Sequence, residues 1–322
     1  MSTIKEISAA TGFSLSTVSI VMRGQGTARG ITKETQSKII KAARTMGYSP
    51  NISARRLRGS SEKHTVVVYW PTDYRAGLVF RFLQGIYSEL GNRTAQYEII
   101  IYPYAPDKLC QSATVENLSS YSAAIISTAS ETDLQYLSNC DVVTPVVLYN
   151  RSLDNYPCVL IDSYGMGISA AHKLLESDVD RGIILSSQKT YNFAQKRIEG
   201  FVEGFSNSGK EYSLVLADTS DPDSVIVKLS EQIFASGERI GIFCTTDHLL
   251  PGVYKFLKSI GMENSVQLVS ISTMDNKLFS DVFGNISMIN VPMEKMGCKC
   301  MELIEEIIKG NNVDAAEYMV DF

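Results

Sequence analysis

The chain has 322 residues, 44% of them hydrophobic, and carries 30 Lys and Arg against 35 Asp and Glu, a net charge of −5. Such a composition is that of a soluble chain of two to three domains. No apolar run approaches the roughly 20 residues of a membrane span, and the opening MSTIKEIS lacks the apolar core of a secretory leader. The charge is unevenly divided: residues 1–60 hold ten Lys and Arg and two Asp and Glu, a net of +8 within a total of −5, so residues 61–322 carry −13. A small positive head on a negative body is the electrostatic footprint of a nucleic-acid binder whose contacts are confined to the head.

In chain order, Ile4, Ile7 and Ala10 fall at helical spacing, and Gly12 supplies the left-handed turn that ends a helix over 4–11. Ser14 opens a second helix whose apolar side is Val18, Val21 and Met22. Two short helices joined by a glycine-containing turn form the helix-turn-helix pattern, in which the second helix enters the major groove and reads bases from its N-terminal end. On that reading Leu15, Ser16 and Ile20 face base edges, and Thr17, Ser19 and Arg23 meet phosphates or edges. Thr3 and Ser14, at the two helix starts, complete the candidate DNA contacts of the head. A third helix starts at Thr32, with Glu34 in its first turn favoured by the helix dipole, and runs through Ile39, Ile40, Ala43 and Met46 to Gly47. The same spacings also fit a plain three-helix core with a basic surface.

From residue 65 strands and helices alternate. TVVVYW (65–70), YEIIIY (97–102), AAIIS (123–127) and PVVLY (145–149) read as strands, with a helix over 77–91 after the first. A second set follows in GIILS (182–186), YSLVL (212–216), GIFC (241–244) and LVSIS (268–272), with helices near 192–208, 222–236 and 248–260. Short, nearly continuous apolar strands between helices imply parallel sheets buried on both faces, and two such sets imply two α/β lobes. Ligands of open sheets bind outside the carboxyl ends of the strands. Asp162 and Asp247 follow strands and are pocket candidates, although each also fits a helix cap. Trp70, the only tryptophan, ends the first strand, where it can stack on the apolar face of a ligand or serve packing or an interface.

No catalytic constellation is present. His64, His172 and His248 are not spaced as a metal pair, and there is no P-loop, no G-x-S-x-G and no complete dinucleotide-binding glycine fingerprint. Cys110, Cys140, Cys158, Cys244, Cys298 and Cys300 are scattered without paired metal spacing, so reduced thiols and a cytoplasmic setting are expected. Neither an enzyme nor a cofactor nor a metal is expected.

TIKEISAATGFSLSTVS at 3–19 and GYSPNISARRLRG at 47–59 resemble, spacing for spacing, the lactose/galactose repressor (LacI/GalR) family of bacterial transcription regulators. In the body the likeness continues more weakly through NRSLD (150–154), LIDSYGMG (160–167), RIEGF (197–201), FCTTDHLL (243–250) and INVPMEKMG (289–297). The resemblance implies an all-α helix-turn-helix head over 1–48, a hinge over 49–62, and an α/β core over 63–322. That core has two parallel-sheet lobes like those of periplasmic binding proteins. The first lobe spans about 63–162 and 291–316 and the second about 163–290 and 317–322, with the final YMVDF strand joining the second. By the same likeness the hinge becomes helical on DNA. Leu57 and Ala54 match the minor-groove wedge and Asn51 the hinge cap, and Arg55, Arg56 and Arg58 flank the wedge where they can hold phosphates; a plain basic linker is the alternative. An apolar wedge between base steps costs a few kcal/mol of unstacking, offset by bending and added backbone contact. Arg197 aligns with an effector-binding arginine, and the effector would sit between the lobes.

Departures from the family pattern shape the rest. Ile20 stands where an arginine bidentate to guanine is usual, and the loop GQGTARGIT is about three residues longer, adding Arg29. Thr246 replaces an asparagine, Asp178-Val179 replaces a glycine-histidine pair, and Met274 sits where a sugar-gripping aspartate is expected, in the run Ser272, Thr273, Met274, Asp275. A simple hexose effector is therefore not expected; a less polar, phosphorylated or otherwise altered ligand, or none, stays open. The expectation is a homodimeric repressor, paired through helices near 77–91 and 248–260, on a pseudo-palindromic double-stranded operator. No heptad extension follows Phe322, which favours a dimer. A regulator answering to a protein co-repressor and a stand-alone small-molecule binder are the alternatives.

Overall fold

The structure, a computed structural model, describes residues 3–46, 48, 63–188, 192–233, 238–273, 281 and 283–322. Asn51, Ala54, Arg55, Leu57, Arg58 and Met274 lie outside the described residues. The chain divides into two units, Met1–Leu160 with Met293–Val320 and Ile161–Pro292 with Asp321–Phe322.

The head opens the first unit as α1 (Ile4–Thr11), α2 (Leu15–Met22) and α3 (Lys33–Thr45). Local chemistry sets the boundaries of the first two. Thr3 and Glu6 form a reciprocal capping box at the start of α1, Gly12 closes it at φ 74°, and Ser14 caps α2 through the Thr17 amide. Ile7, Val18, Val21, Met22, Ile39, Ile40 and Ala43 make one buried cluster. Full burial of an aliphatic side chain of this kind contributes about 1.5–3 kcal/mol. The long loop is folded on itself: the Ile31 amide donates to the Gly26 carbonyl, and Gln36 of α3 donates to the Ile31 carbonyl at 2.7 Å.

The rest of the first unit is built on a six-stranded sheet of order β11-β5-β4-β3-β1-β2. Its strands are β1 (His64–Pro71), β2 (Tyr97–Tyr104), β3 (Ala123–Ser127), β4 (Val146–Tyr149), β5 (Cys158–Ile161) and β11 (Glu317–Val320). Neighbours from β2 to β5 run parallel, with Val67 level with Ile100 and Ala124. Helix Val79–Leu90 lies directly against helix Met293–Lys309: a Cβ on Gly85 would sit 1.9 Å from the Glu294 carbonyl oxygen, and one on Gly297 would sit 2.3 Å from that of Phe82. Arg81 clamps the crossing with two 2.6 Å bonds to the Glu294 carboxylate.

The last strand departs from expectation. β11 belongs to the first sheet, beside β5, with the Cys158 amide donating to the Ala316 carbonyl at 2.9 Å; it does not join the second lobe. Helix Met293–Lys309 packs in the first unit, and the short segment 310–316 carries the chain only as far as that sheet's open edge.

The second unit has a five-stranded parallel sheet of order β10-β9-β8-β6-β7. Its strands are β6 (Arg181–Ser187), β7 (Glu211–Ala217), β8 (Ile240–Cys244), β9 (Gln267–Ser272) and β10 (Ile286–Asn290). Helices Ser163–Glu176 and Asn192–Ser206 meet through glycine: a Cβ on Gly167 would lie 2.1 Å from the Arg197 carbonyl oxygen, and one on Gly200 would lie 2.0 Å from that of Tyr164. Helices Pro222–Ser230 and Leu250–Ser259 cover a separate cluster that includes Ile183, Leu185, Val215, Ile242 and Leu268. The helix expected to reach 236 ends at Ser230. Among the described residues no helix is long and apolar enough to cross a membrane.

Candidate DNA-reading helix and effector site

The first turn of α2 presents its side chains outward. Leu15 is 51% exposed, Ser16 is exposed, and Ser19 and Ile20 follow one turn later, half-buried. The opposite side of the same helix, Val18, Val21 and Met22, is locked into the head's core, so the helix cannot roll without breaking that core. The Ser14 hydroxyl accepts from the Thr17 amide at 3.1 Å and shares a 2.8 Å bond with the Thr17 hydroxyl. Thr3 is likewise tied into its capping box with Glu6. Ser14, Thr17 and Thr3 thus fix the helix starts, whereas Leu15 and Ser16 project into solvent. Arg23, exposed at the end of α2, turns back to donate from Nε to the Ser19 carbonyl at 3.0 Å.

In the second unit polar residues collect at the carboxyl ends of β6, β8 and β9. Arg197, on helix Asn192–Ser206, is 3% exposed; its Nη1 donates to the Thr245 carbonyl at 2.8 Å and its guanidinium lies 5.0 Å from the centre of the Phe193 ring. The Thr245 hydroxyl donates to the Ser186 hydroxyl at 2.9 Å. Asp247, 2% exposed, accepts from the Thr273 amide and the Thr273 hydroxyl, each at 2.8 Å, and from the Ser272 hydroxyl at 3.3 Å. Its carboxylate ties the end of β8 to the end of β9. Capping was the alternative for this residue, but the N-cap of the short turn 247–249 is Thr246, whose side chain makes no capping bond. Burial pushes the thiol of Cys244, the residue before this pair of threonines, far above its ordinary range and keeps it protonated.

The remaining candidates fall elsewhere. Asp162 is exposed and caps helix Ser163–Glu176, accepting from the Gly165 amide at 2.7 Å. Trp70 is 3% exposed in the first unit, its ring 5.2 Å from Phe82 and 5.7 Å from Tyr149, which accounts for it by packing. Thus Arg197, Thr246 and Asp247 share one region of the second unit, Asp162 caps a helix of that unit, and Trp70 is packed within the first unit.

Ser186 and Thr245 were not singled out from the sequence, and Ser272 and Thr273 entered only as the residues before Met274. Their signal was available: LSS at 185–187, CTT at 244–246 and IST at 271–273 each place hydroxyls where an apolar strand ends. Two further residues carry a signal that only dihedrals reveal. Thr128 (φ 44°) follows β3 and Asn150 (φ 56°) follows β4 in the first unit. A β-branched residue at positive φ is strained, and such residues concentrate at functional sites. Arg151 braces both turns, donating to the Ala129 carbonyl at 2.7 Å and to the Asn150 carbonyl at 2.5 Å. Among the described residues no group of His, Cys, Asp and Glu could hold a metal ion.

Comparison with known proteins places this arrangement. Residues 3–51 match the family described as bacterial regulatory proteins of the lacI family. Residues 93–319 match the family of periplasmic binding proteins and sugar binding domains of the LacI family. The chain is 24% identical to the sucrose operon repressor of Klebsiella pneumoniae over 96% of its own length and 92% of that protein's. It is also 24% identical to the ribose operon repressor of Bacillus subtilis, with the same two coverages. A LacI family transcription regulator from Clostridium acetobutylicum has the same fold, with a TM-score of 0.72 at 23% identity over 80% of this chain and 97% of that one. The transcriptional regulator CelR in complex with cellobiose matches at a TM-score of 0.65 and 18% identity over 100% of this chain and 97% of that one. With its helix-turn-helix head and sugar-binding-type core both matched, the chain belongs to the LacI family of bacterial regulatory proteins.

Proposed function

We propose that this chain is an operator-binding repressor whose DNA affinity is set by a small polar effector held at the carboxyl ends of β6, β8 and β9. The carrying observation is the outward first turn of α2, where Leu15 and Ser16 stand free on a basic head while the far side of the helix is fixed in the core. Leu15 and Ile20 suit thymine methyl groups, and the head's Lys and Arg suit phosphates. Asn51, Ala54, Arg55, Leu57 and Arg58 are assigned to the hinge by family likeness.

The effector is proposed to be a sugar or sugar derivative. Sugar-operon repressors are among the relatives, and Arg197 with the hydroxyl of Ser186, which accepts from Thr245, offers donors to a polyol or to an anion on it. Asp247 is assigned a bracing role, because its oxygens already accept from Ser272 and Thr273. Dimerisation is supported on helix Val79–Leu90, where Phe80 and Tyr87 stand exposed two turns apart. Helix Leu250–Ser259 supports it less, since it exposes Lys255 and Lys258. A two-fold dimer imposes matching symmetry on the operator.

Selection of duplexes from a random pool by the full chain tests this reading. Enrichment of a two-fold symmetric motif is expected, with binding that weakens steeply as salt rises. Failure to enrich any motif would overturn it.

A further inference from the structure

Within the first unit the head rests on the body that follows it. The turn that ends α2 lies against the short helix Val115–Leu118, which precedes β3. A Cβ on Gly24 would sit 3.2 Å from Cγ1 of Val115 and 3.3 Å from the Glu116 backbone, closer than ordinary van der Waals contact. Beside it the Ser119 hydroxyl, whose shorter bond is to the Glu116 carbonyl at 2.7 Å, also reaches the Arg23 carbonyl at 3.4 Å, across 96 positions of sequence. A second point of contact lies before β4, where Val143 packs against the buried cluster of the head. Charge favours the same arrangement. The stretch between Lys108 and Arg151, which supplies all of these body residues, contains no Lys, Arg or His, and it sets the exposed acids Glu116 and Asp141 near a positive head.

Gly24 has two duties. At φ 71° it is the left-handed residue that closes α2: its amide donates to the Val21 carbonyl at 2.9 Å and the next amide, of Gln25, to the Ile20 carbonyl at 3.1 Å. These are the paired bonds of a Schellman turn. The body therefore touches the end of α2 itself and not a loop that hangs from it. The lengthened loop GQGTARGIT starts at this same glycine and turns back at once, with the Arg29 amide donating to the Gln25 carbonyl at 3.1 Å. α2 is eight residues long, about 12 Å at the helical rise. The body holds one end of that length, and the exposed Leu15 and Ser16 stand at the other. The base-reading turn is left open while its helix is held.

We infer that the head docks on its own first unit through a seat made by Val115, Glu116, Ser119 and Val143, which holds the end of α2 and keeps its reading turn outward for the operator. The docking is reversible, not a fused core. Its polar contact is one long bond, and Tyr48, at the end of the head, lines an open cleft with Pro145, Tyr156 and Ile307. A seated head meets DNA in one orientation, so less freedom remains to be lost on binding. α2 also takes up any shift of helix Val115–Leu118 by direct contact, in addition to the covalent route through residues 49–62. This use of the seat rests on the operator-binding reading above; the docking itself does not.

Hydrogen–deuterium exchange of the DNA-free full chain tests the docking, in the wild type and in the variants Ser119→Phe and Val143→Asn. Both changes are neutral in charge and lie in the body, so the head's own sequence is untouched. Amides of residues 20–26 should exchange faster in each variant, while β3, β4 and the second unit keep their wild-type rates, which shows the body intact. Ser119 is half-buried at the rim of the seat, so its variant keeps the test decisive if Val143→Asn disturbs the body. Unchanged exchange at residues 20–26 in Ser119→Phe would overturn the docking.

On the selected operator both variants should bind roughly tenfold more weakly, the loss expected when the competent orientation is populated about one-tenth of the time. The salt dependence of binding should stay as in the wild type, since no phosphate contact is removed. Faster exchange with operator affinity unchanged or raised would overturn the positioning role, and a raised affinity would mark the seat as a restraint on the head. A wild type that selects no operator would sink the operator-binding reading alone, because exchange without DNA still decides the docking.

Discussion

Asp247 and Thr273 are joined twice, by the Thr273 amide and by its hydroxyl, each 2.8 Å from the carboxylate. The two residues stand 26 positions apart, at the ends of neighbouring strands, and the Asp247 side chain is almost wholly buried. The carboxylate is thereby occupied by its own fold, and the polar end of the second sheet is held in one arrangement before any ligand arrives. Asp247→Ala would leave a buried amide and two hydroxyls without this acceptor. A loss of about 1–3 kcal/mol in unfolding free energy is expected for such a change. Urea denaturation measures it, and a loss within experimental scatter would contradict the bracing role.

Arg197 reaches the strand ends only because its helix lies so close to helix Ser163–Glu176. Gly200→Ala would place a methyl group 2.0 Å from the Tyr164 carbonyl oxygen and force the helices apart. Overpacking of this kind costs about 1–3 kcal/mol. The variant is therefore expected to lose stability, read by thermal unfolding, together with effector response, read on operator DNA. Retention of both would show that the close crossing is dispensable.

Ile20 lies on the α2 face beyond the first turn and has no hydrogen-bonding group. Ile20→Arg is expected to shift preference at one position of each half-site toward guanine. A good bidentate contact discriminates by about 1–3 kcal/mol. Binding to duplexes substituted one base pair at a time gives the answer. Unchanged preference would take Ile20 out of the base-reading set.

Asp180 and Asp178 hold the Arg239 guanidinium at the start of β8. The hydrogen bond from Arg239 is the main reason that the Asp180 carboxyl is depressed to about 2 from its ordinary value near 4. Its folded pKa lies below its unfolded one, so the contribution to stability is present above pH 4 and is lost as pH falls through 4 toward 2. The stability gap between wild type and Arg239→Ala should therefore be constant from pH 7 to 5 and narrow below 4. A gap that widened on acidification would carry the wrong sign for this pair.

Much of the fold was legible because its signals are local. Ile4, Ile7 and Ala10 mark a helix by spacing, Gly12 marks its end, and runs such as TVVVYW mark strands buried on both faces. What depended on distant partners was not legible. β5 is four residues long, behind Pro157, and announces itself by no period; β11 alternates like any edge strand, and nothing in EYMV says which sheet it will join. The same holds at the candidate site. Arg197 was singled out by the family likeness of RIEGF, whereas Asp247 read as a ligand or a cap because its hydrogen-bond partner, Thr273, is remote in sequence. Trp70 read equally as a stacking platform or as packing because its neighbours Phe82 and Tyr149 come from other elements.

The most direct test of effector control titrates sugars, sugar phosphates and related polyols onto the complex of the full chain with its selected operator, for the wild type and for Arg197→Ala. At least one ligand class should change wild-type operator affinity by roughly 5- to 150-fold, the usual range of coupling between two sites. Arg197→Ala should bind the operator as tightly as the wild type without ligand and show no such change. An equal response in the variant would contradict control through Arg197.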